Sequence, residues 1–175
     1  MSGPPVRPAP TVRPARPADA EAAAGIHNQG IAERGATFET EPRTAAHLAN
    51  RIREDPRRLP VLVAEEAGGI VGWASIGRYR DRACYAGVGE FSVYVHRDAR
   101  GRGVGRLLLA RLIEEARDRG YWKLVSRVFP FNTASLALCR ALGFREVGTY
   151  ERHGRLDGRW LDVVIVERLI PENQE

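Results

Sequence analysis

Lysine and cysteine are nearly absent from this chain: of its 175 residues only Lys123 is a lysine, and only Cys84 and Cys139 are cysteines. Two cysteines so far apart in sequence exclude a CxxC redox pair and a metal knuckle, and they read as reduced thiols of a cytosolic, cytoplasmic protein. His27, His47, His96 and His153 show no ligand spacing, so no metal is expected. These rings are read as surface or capping residues, with His153 in a loop before the last strand. No apolar run approaches the ~20 residues of a membrane-spanning helix, so no membrane partner is expected. The first 17 residues carry six prolines and no apolar stretch of a secretory signal. No internal repeat is visible.

What is present is arginine, spread along the chain and interleaved with 22 acids for a formal charge of +5. Dispersed charge without a reader motif argues against a nucleic-acid partner. A chain of this length with 43% hydrophobic residues supports one full core. The expected layout is a disordered Pro-rich tail over residues 1–10, a single domain over 11–171 and a short tail over 172–175.

Pattern and punctuation give the elements. Residues 11–15 are a short strand, and Asp19 caps an alanine-rich helix to about Ile31. Thr44 opens a second helix to about Asp55, stopped by Pro56. Residues 61–65 and 70–76 form strands joined by the hairpin signal Ala67-Gly68-Gly69. Val104, Leu107, Leu108, Leu112 and Ala116 recur at helical spacing to about Arg119, burying one face and leaving Arg106, Arg111 and Glu115 in water. Residues 91–95, 124–129 and 161–169 read as strands, the last after the turn 156–159. Residues 133–142 form a helix with Gly143 at its end. Irregular mixing of these elements implies an α/β fold with a mixed, largely antiparallel sheet.

The sequence Arg100-Gly101-Arg102-Gly103-Val104-Gly105 joins the strand at 91–95 to the helix that starts near Val104. Glycines there let backbone approach an anion, the free N–H groups of the helix start point at it, and Arg100, Arg102 and Arg106 add charged donors. It is neither of two common phosphate loops. A Walker loop requires Lys-Ser or Lys-Thr after the last glycine, where Arg106-Leu107 stands, and the dinucleotide fingerprint requires an acid about 20 residues on. Arg-x-x-Gly-x-Gly between strand and helix resembles the GCN5-related acetyltransferases. Glu90, the strand, the loop, the helix, a second strand, then Asn132 and the run Leu142-Gly143-Phe144 follow that family's order.

The resemblance implies acetyl coenzyme A as co-substrate, held between splayed central strands. Contacts would come from Val93, Tyr94, Val95, Arg100, Gly101, Arg102, Gly103, Val104, Gly105, Arg106 and Asn132. A backbone N–H near Val93 to Val95 would hold the developing oxyanion. An amine acceptor arrives protonated, and Glu90, immediately before the strand, is placed to take the proton. Cys139 stands seven residues after Asn132, where relatives carry a tyrosine or histidine; it is a thiol donor or a small apolar filler.

Outside the cofactor site the chain resembles the branch of phosphinothricin, methionine sulfone and arsinothricin acetyltransferases. The carriers are residues 36–42, the segment Arg80-Asp81-Arg82-Ala83-Cys84-Tyr85 and Trp160-x-Asp162. The branch implies that Arg80, Asp81, Arg82 and Tyr85, with Phe38 and Glu90, bind a small amino-acid-like amine, and that the protein is a homodimer. Acetylation of protein N-termini and a non-catalytic coenzyme sensor are the alternatives.

Overall fold

The computed structural model describes residues 8–174. Residues 1–7 and 175, part of the expected tails, lie outside the described residues. Seven strands form one sheet in the order β1-β2-β3-β4-β5-β7-β6: β1 (Thr11–Pro14), β2 (Val61–Glu66), β3 (Gly69–Arg78), β4 (Val88–Val95), β5 (Lys123–Val128), β6 (Arg145–Leu156) and β7 (Arg159–Leu169). Every neighbouring pair is antiparallel except β4 and β5, which makes the sheet mixed and largely antiparallel as expected. Tight two-residue loops close two of the hairpins. Ala67 and Gly68, then Asp157 and Gly158, all take positive φ, the twist that a two-residue hairpin favours.

Four helices cover the two faces. α3 (Val104–Asp118) and α4 (Thr133–Ala141) pack on one face, where Leu108, Leu109 and Leu112 meet Ile76, Phe91 and Leu124 in the main core. α1 (Ala20–Glu33) and α2 (Ala45–Arg53) cover the other through Ala23, Ile26, Leu48 and Ile52 against Val61, Val63 and Trp73. Thr44 caps α2 by accepting from the His47 N–H, as its sequence implies. The role expected of Asp19 is different: its side chain does not cap α1. It accepts from the Arg16 N–H and pairs with Arg13, closing a 3-10 turn over Pro17–Asp19.

Three other expectations are corrected. Glu115, expected in water, is buried between Arg111 and Arg119, while Leu107, expected in the core, is 40% exposed. The buried stripe of α3 thus runs through Leu108, Leu112 and Glu115, and an ion-pair cluster lets a carboxylate sit within it. β4 begins three residues earlier than expected, which puts Glu90 inside a strand paired to Gly77 and Val125. β6 was not legible as a strand at all. It lies at the sheet edge with almost every residue exposed, so it lacks the alternation that marks a half-buried strand. Near the end of the chain, Asn173 donates to the carbonyls of Arg117 and Tyr121, fastening part of the segment expected as a tail.

Gly89 is the tight point of the central strand. A Cβ there would lie 2.5 Å from Ile76 and 3.1 Å from both Leu124 and Tyr121. Gly89→Ala should lower stability by about 1–3 kcal/mol, read as a lower midpoint in urea denaturation; an unchanged midpoint would mean that the core yields there.

Candidate active site

β4 and β5 pair over only three positions, Val88–Lys123, Gly89–Leu124 and Glu90–Val125. Beyond them β4 stays with β3 to Val95 and β5 stays with β7 to Val128, so the two strands part. The gap opens a cavity of about 480 Å³ lined by Glu90 to Tyr94 on one side, Ser126 to Phe129 on the other, and Asn132, Leu138 and Cys139 of the α4 region. Antiparallel bonding alternates along β4. Since the His96 N–H donates to Val71 O, the groups of Tyr94 and Ser92 face β3, and those of Val93 and Val95 face the gap.

The glycine-arginine loop stands at the wide end of this gap. Gly101 and Gly103 take φ of +71° and +83°, and a Cβ at either meets nothing within 4 Å, so bare backbone faces open space. The first helical bond of α3 runs from the Leu107 N–H to Gly103 O. The N–H groups of Val104, Gly105 and Arg106 therefore have no acceptor within the helix. The arginines are less free than expected. Arg100 donates to Val95 O and to Glu33 Oε2 (3.1 and 2.7 Å), and Arg102 is paired with Glu66. Among the described residues Arg106 has no carboxylate partner.

On the α1/α2 face of the sheet, Glu90 contacts the Arg127 guanidinium. Sequence reasoning missed Arg127. Its signal was available in the alternation of β5, which sends Leu124 and Val128 to the core and turns residue 127 to the opposite face. The wall above this face is the loop between α1 and α2. Phe38 packs edge-on against Phe129, centroids 4.9 Å apart, and touches Gly154, where a Cβ would lie within 3.1 Å of its ring. His153 also lines the cavity, but from a bulge within β6 rather than from a loop. Asn132 caps α4 through the Ser135 N–H and donates to Gly35 O of the same loop (both 3.2 Å).

His27, expected at the surface, anchors that loop from the interior. Its ring packs on Tyr94 and Trp73, and Nε2 lies 2.5 Å from Glu39 Oε2. Burial pushes its pKa down to about 4, so the neutral ring donates a hydrogen bond to Glu39, which also pairs with Arg43. Cys139 is buried in the cavity wall, and burial with nearby Glu146 raises its thiol to about 11. Arg80, Asp81, Arg82 and Tyr85 gather around a separate cavity of about 200 Å³ that shares no residue with the one holding Glu90. Within one chain the expected acceptor-binding arginines and the expected base are not brought together.

Residues 26–144 match the Acetyltransferase (GNAT) family, and the chain belongs to it. It is 38% identical over 169 residues to the L-amino acid N-acyltransferase MnaT of Escherichia coli K12, covering 94% of this chain and 96% of the relative. It is 37% identical over 160 residues to a phosphinothricin N-acetyltransferase of Alcaligenes faecalis, covering 90% and 81%. Among solved structures, a Salmonella typhimurium acetyltransferase with its cofactor acetyl-CoA superposes with a TM-score of 0.88 at 33% identity, covering 93% and 94%. A ribosomal-protein-alanine N-acetyltransferase from Brucella melitensis superposes at 0.85 and 39% identity, covering 91% and 99%. The residues here fit such a ligand: the open backbone at Gly101 and Gly103 and the unpaired edge of β4 offer N–H donors that no group among the described residues fills.

A histidine held neutral by burial stabilises the fold above its unfolded pKa, near 6.5, and that contribution is lost as pH falls toward about 4. Denaturation at pH 7 and pH 4.5 should show a loss on the order of 2 kcal/mol that shrinks in His27→Gln. An identical pH dependence in the variant would remove this role for His27.

Proposed function

We propose that this protein is an acetyl-CoA-dependent N-acetyltransferase that acetylates the α-amine of a small free amino acid or analogue, of the phosphinothricin or methionine sulfone type. One observation carries the reading. The gap that exposes the β4 edge runs straight to Glu90, at a cavity walled by Phe38, Phe129 and His153 and sized for a small acceptor. Bound acetyl-CoA supplies an activated acyl thioester. The amides of residues 103–106 hold its pyrophosphate, with Arg106 as the free guanidinium and Arg100 and Arg102 shared with Glu33 and Glu66. The Val93 and Val95 N–H groups face the gap, where one of them stabilises the charge that develops on the carbonyl oxygen.

Glu90 takes the proton from the acceptor ammonium, directly or through water, which leaves a lone pair to attack. Cys139 is assigned a packing role. A thiol near 11 releases its proton less readily than the coenzyme thiol, about 8.5 for an ordinary thiol, so it is a poor donor to the departing sulfur. We further propose a cytoplasmic homodimer, supported by the exposed Val147, Tyr150 and Trp160 on the β6–β7 edge. A partner chain then has the opportunity to complete the pocket that Arg80 and Arg82 do not reach in one chain.

Acetylation of a protein N-terminus is the second reading, favoured by the name of the Brucella melitensis relative. A thiol-release assay separates the two: turnover with methionine sulfone or phosphinothricin supports the first, and turnover with an alanine-started peptide alone supports the second. Glu90→Gln should lower kcat at neutral pH by about 100-fold, with acetyl-CoA affinity unchanged. Full turnover in that variant would remove the base assignment.

A further inference from the structure

We propose that Arg127 is the carboxylate-binding residue of the acceptor site, and that its ion pair with Glu90 occupies the place of a free amino acid's two charges. This rests on the amino-acid reading of the same cavity. Glu90 is the last β4 residue paired to β5, and Arg127 stands two positions beyond its partner Val125, on the same face of the sheet. Its guanidinium reaches back across the parting strands to the Glu90 carboxylate. Both side chains line the cavity and remain accessible, 28% and 48% exposed. Among the described residues Arg127 has no other carboxylate partner.

An α-amino acid carries its ammonium and carboxylate on one carbon, about 3 Å apart, which is the separation of the two charges in a hydrogen-bonded ion pair. Such a ligand replaces one ion pair by two. Its ammonium takes Glu90, its carboxylate takes the guanidinium fork, and no charge is left unpaired in the cavity. The exchange also frees the base: Glu90 leaves Arg127 when a carboxylate arrives to replace it. A peptide N-terminus carries an amide at that carbon and offers no such replacement, so Arg127 selects free amino acids. The cavity around Arg80 and Arg82 cannot supply this within one chain, since it does not contain Glu90.

The test compares kcat/KM for methionine sulfone and for its α-carboxamide, by thiol release, in the wild type, Arg127→Ala and Arg127→Lys. The wild type should prefer the acid by about 10- to 100-fold, the worth of one charge-assisted contact. Arg127→Ala should lose that preference through a fall in the acid alone, and Arg127→Lys should keep part of it. An acid preference that survives Arg127→Ala overturns the proposal and leaves the amino-acid reading standing. Equal losses for acid and amide would show a merely structural role and overturn it too. Turnover of peptide alone would overturn both.

Discussion

The parting of β4 from β5 after Glu90 and Val125 is the constraint on which the rest of the molecule depends. Each strand keeps one neighbour across the gap, β3 for β4 from Gly89 to Val95 and β7 for β5 from Lys123 to Val128, so the sheet loses no continuity on either side of it. Between them the N–H groups of Val93 and Val95 and the Val93 carbonyl are left to solvent or ligand, while the Val95 carbonyl accepts from Arg100. Such groups are costly when buried without partners, and here they remain half-buried at an open cleft. A ligand that can lie along a strand edge and present both donors and acceptors is the natural occupant. The helix start beside the same gap adds donors for an anion, so on the function proposed one defect in pairing would serve both the arm and the phosphate end of the ligand.

Most charges around the cleft, Arg106 apart, follow a second rule: they are satisfied internally before any ligand arrives. Arg100 lies on Glu33, Arg102 on Glu66, Arg43 on Glu39 and Arg127 on Glu90. Pairs as open to solvent as Arg100–Glu33 and Arg127–Glu90 contribute little to stability, so exchanging the carboxylate there for a ligand anion costs the fold little. What they do fix is geometry. An arginine already extended toward an anion loses less side-chain freedom when a phosphate or carboxylate replaces its partner. Dispersed arginine and acid in the sequence thus become local pairs at the places where binding has to happen.

The strand-loop-helix unit from 91 to 118 was legible in the sequence because glycine spacing, apolar periodicity and arginine all fall within one short segment. Its two errors are tertiary in origin. Leu107 and Glu115 sit on a helix whose packing surface is rotated slightly from the apolar stripe, and Arg111 and Arg119 make the carboxylate tolerable inside it. Glu90 was legible as a candidate base but not as a strand residue. The pairing of Val88 and Gly89 depends on β5, thirty-odd residues later, which no local pattern records. His27 was hidden for the same reason, since its burial comes from Trp73 and Tyr94 on distant strands. Arg80 and Arg82 show the converse, a segment whose likeness to a binding motif was plain and whose place in a cavity separate from that of Glu90 was not.

The two faces of the sheet divide the labour at the gap. The α3 face carries the core, where Leu108, Leu109 and Leu112 are fully buried, and the loop that presents free amides. The α1/α2 face carries Glu90, Ser92 and Tyr94 beneath a loop tied down at separate points: Asn28 to Arg43, His27 to Glu39 and Asn132 to Gly35. Asn132 belongs to the opposite side, where it caps α4, so a single amide joins the wall of the acceptor cavity to the helix that floors the cleft. The cleft is therefore a passage through the sheet rather than a pocket on it. On the function proposed, reactants entering from opposite faces would meet where the strands separate, and Glu90 stands at that point because its backbone is the last held on both sides.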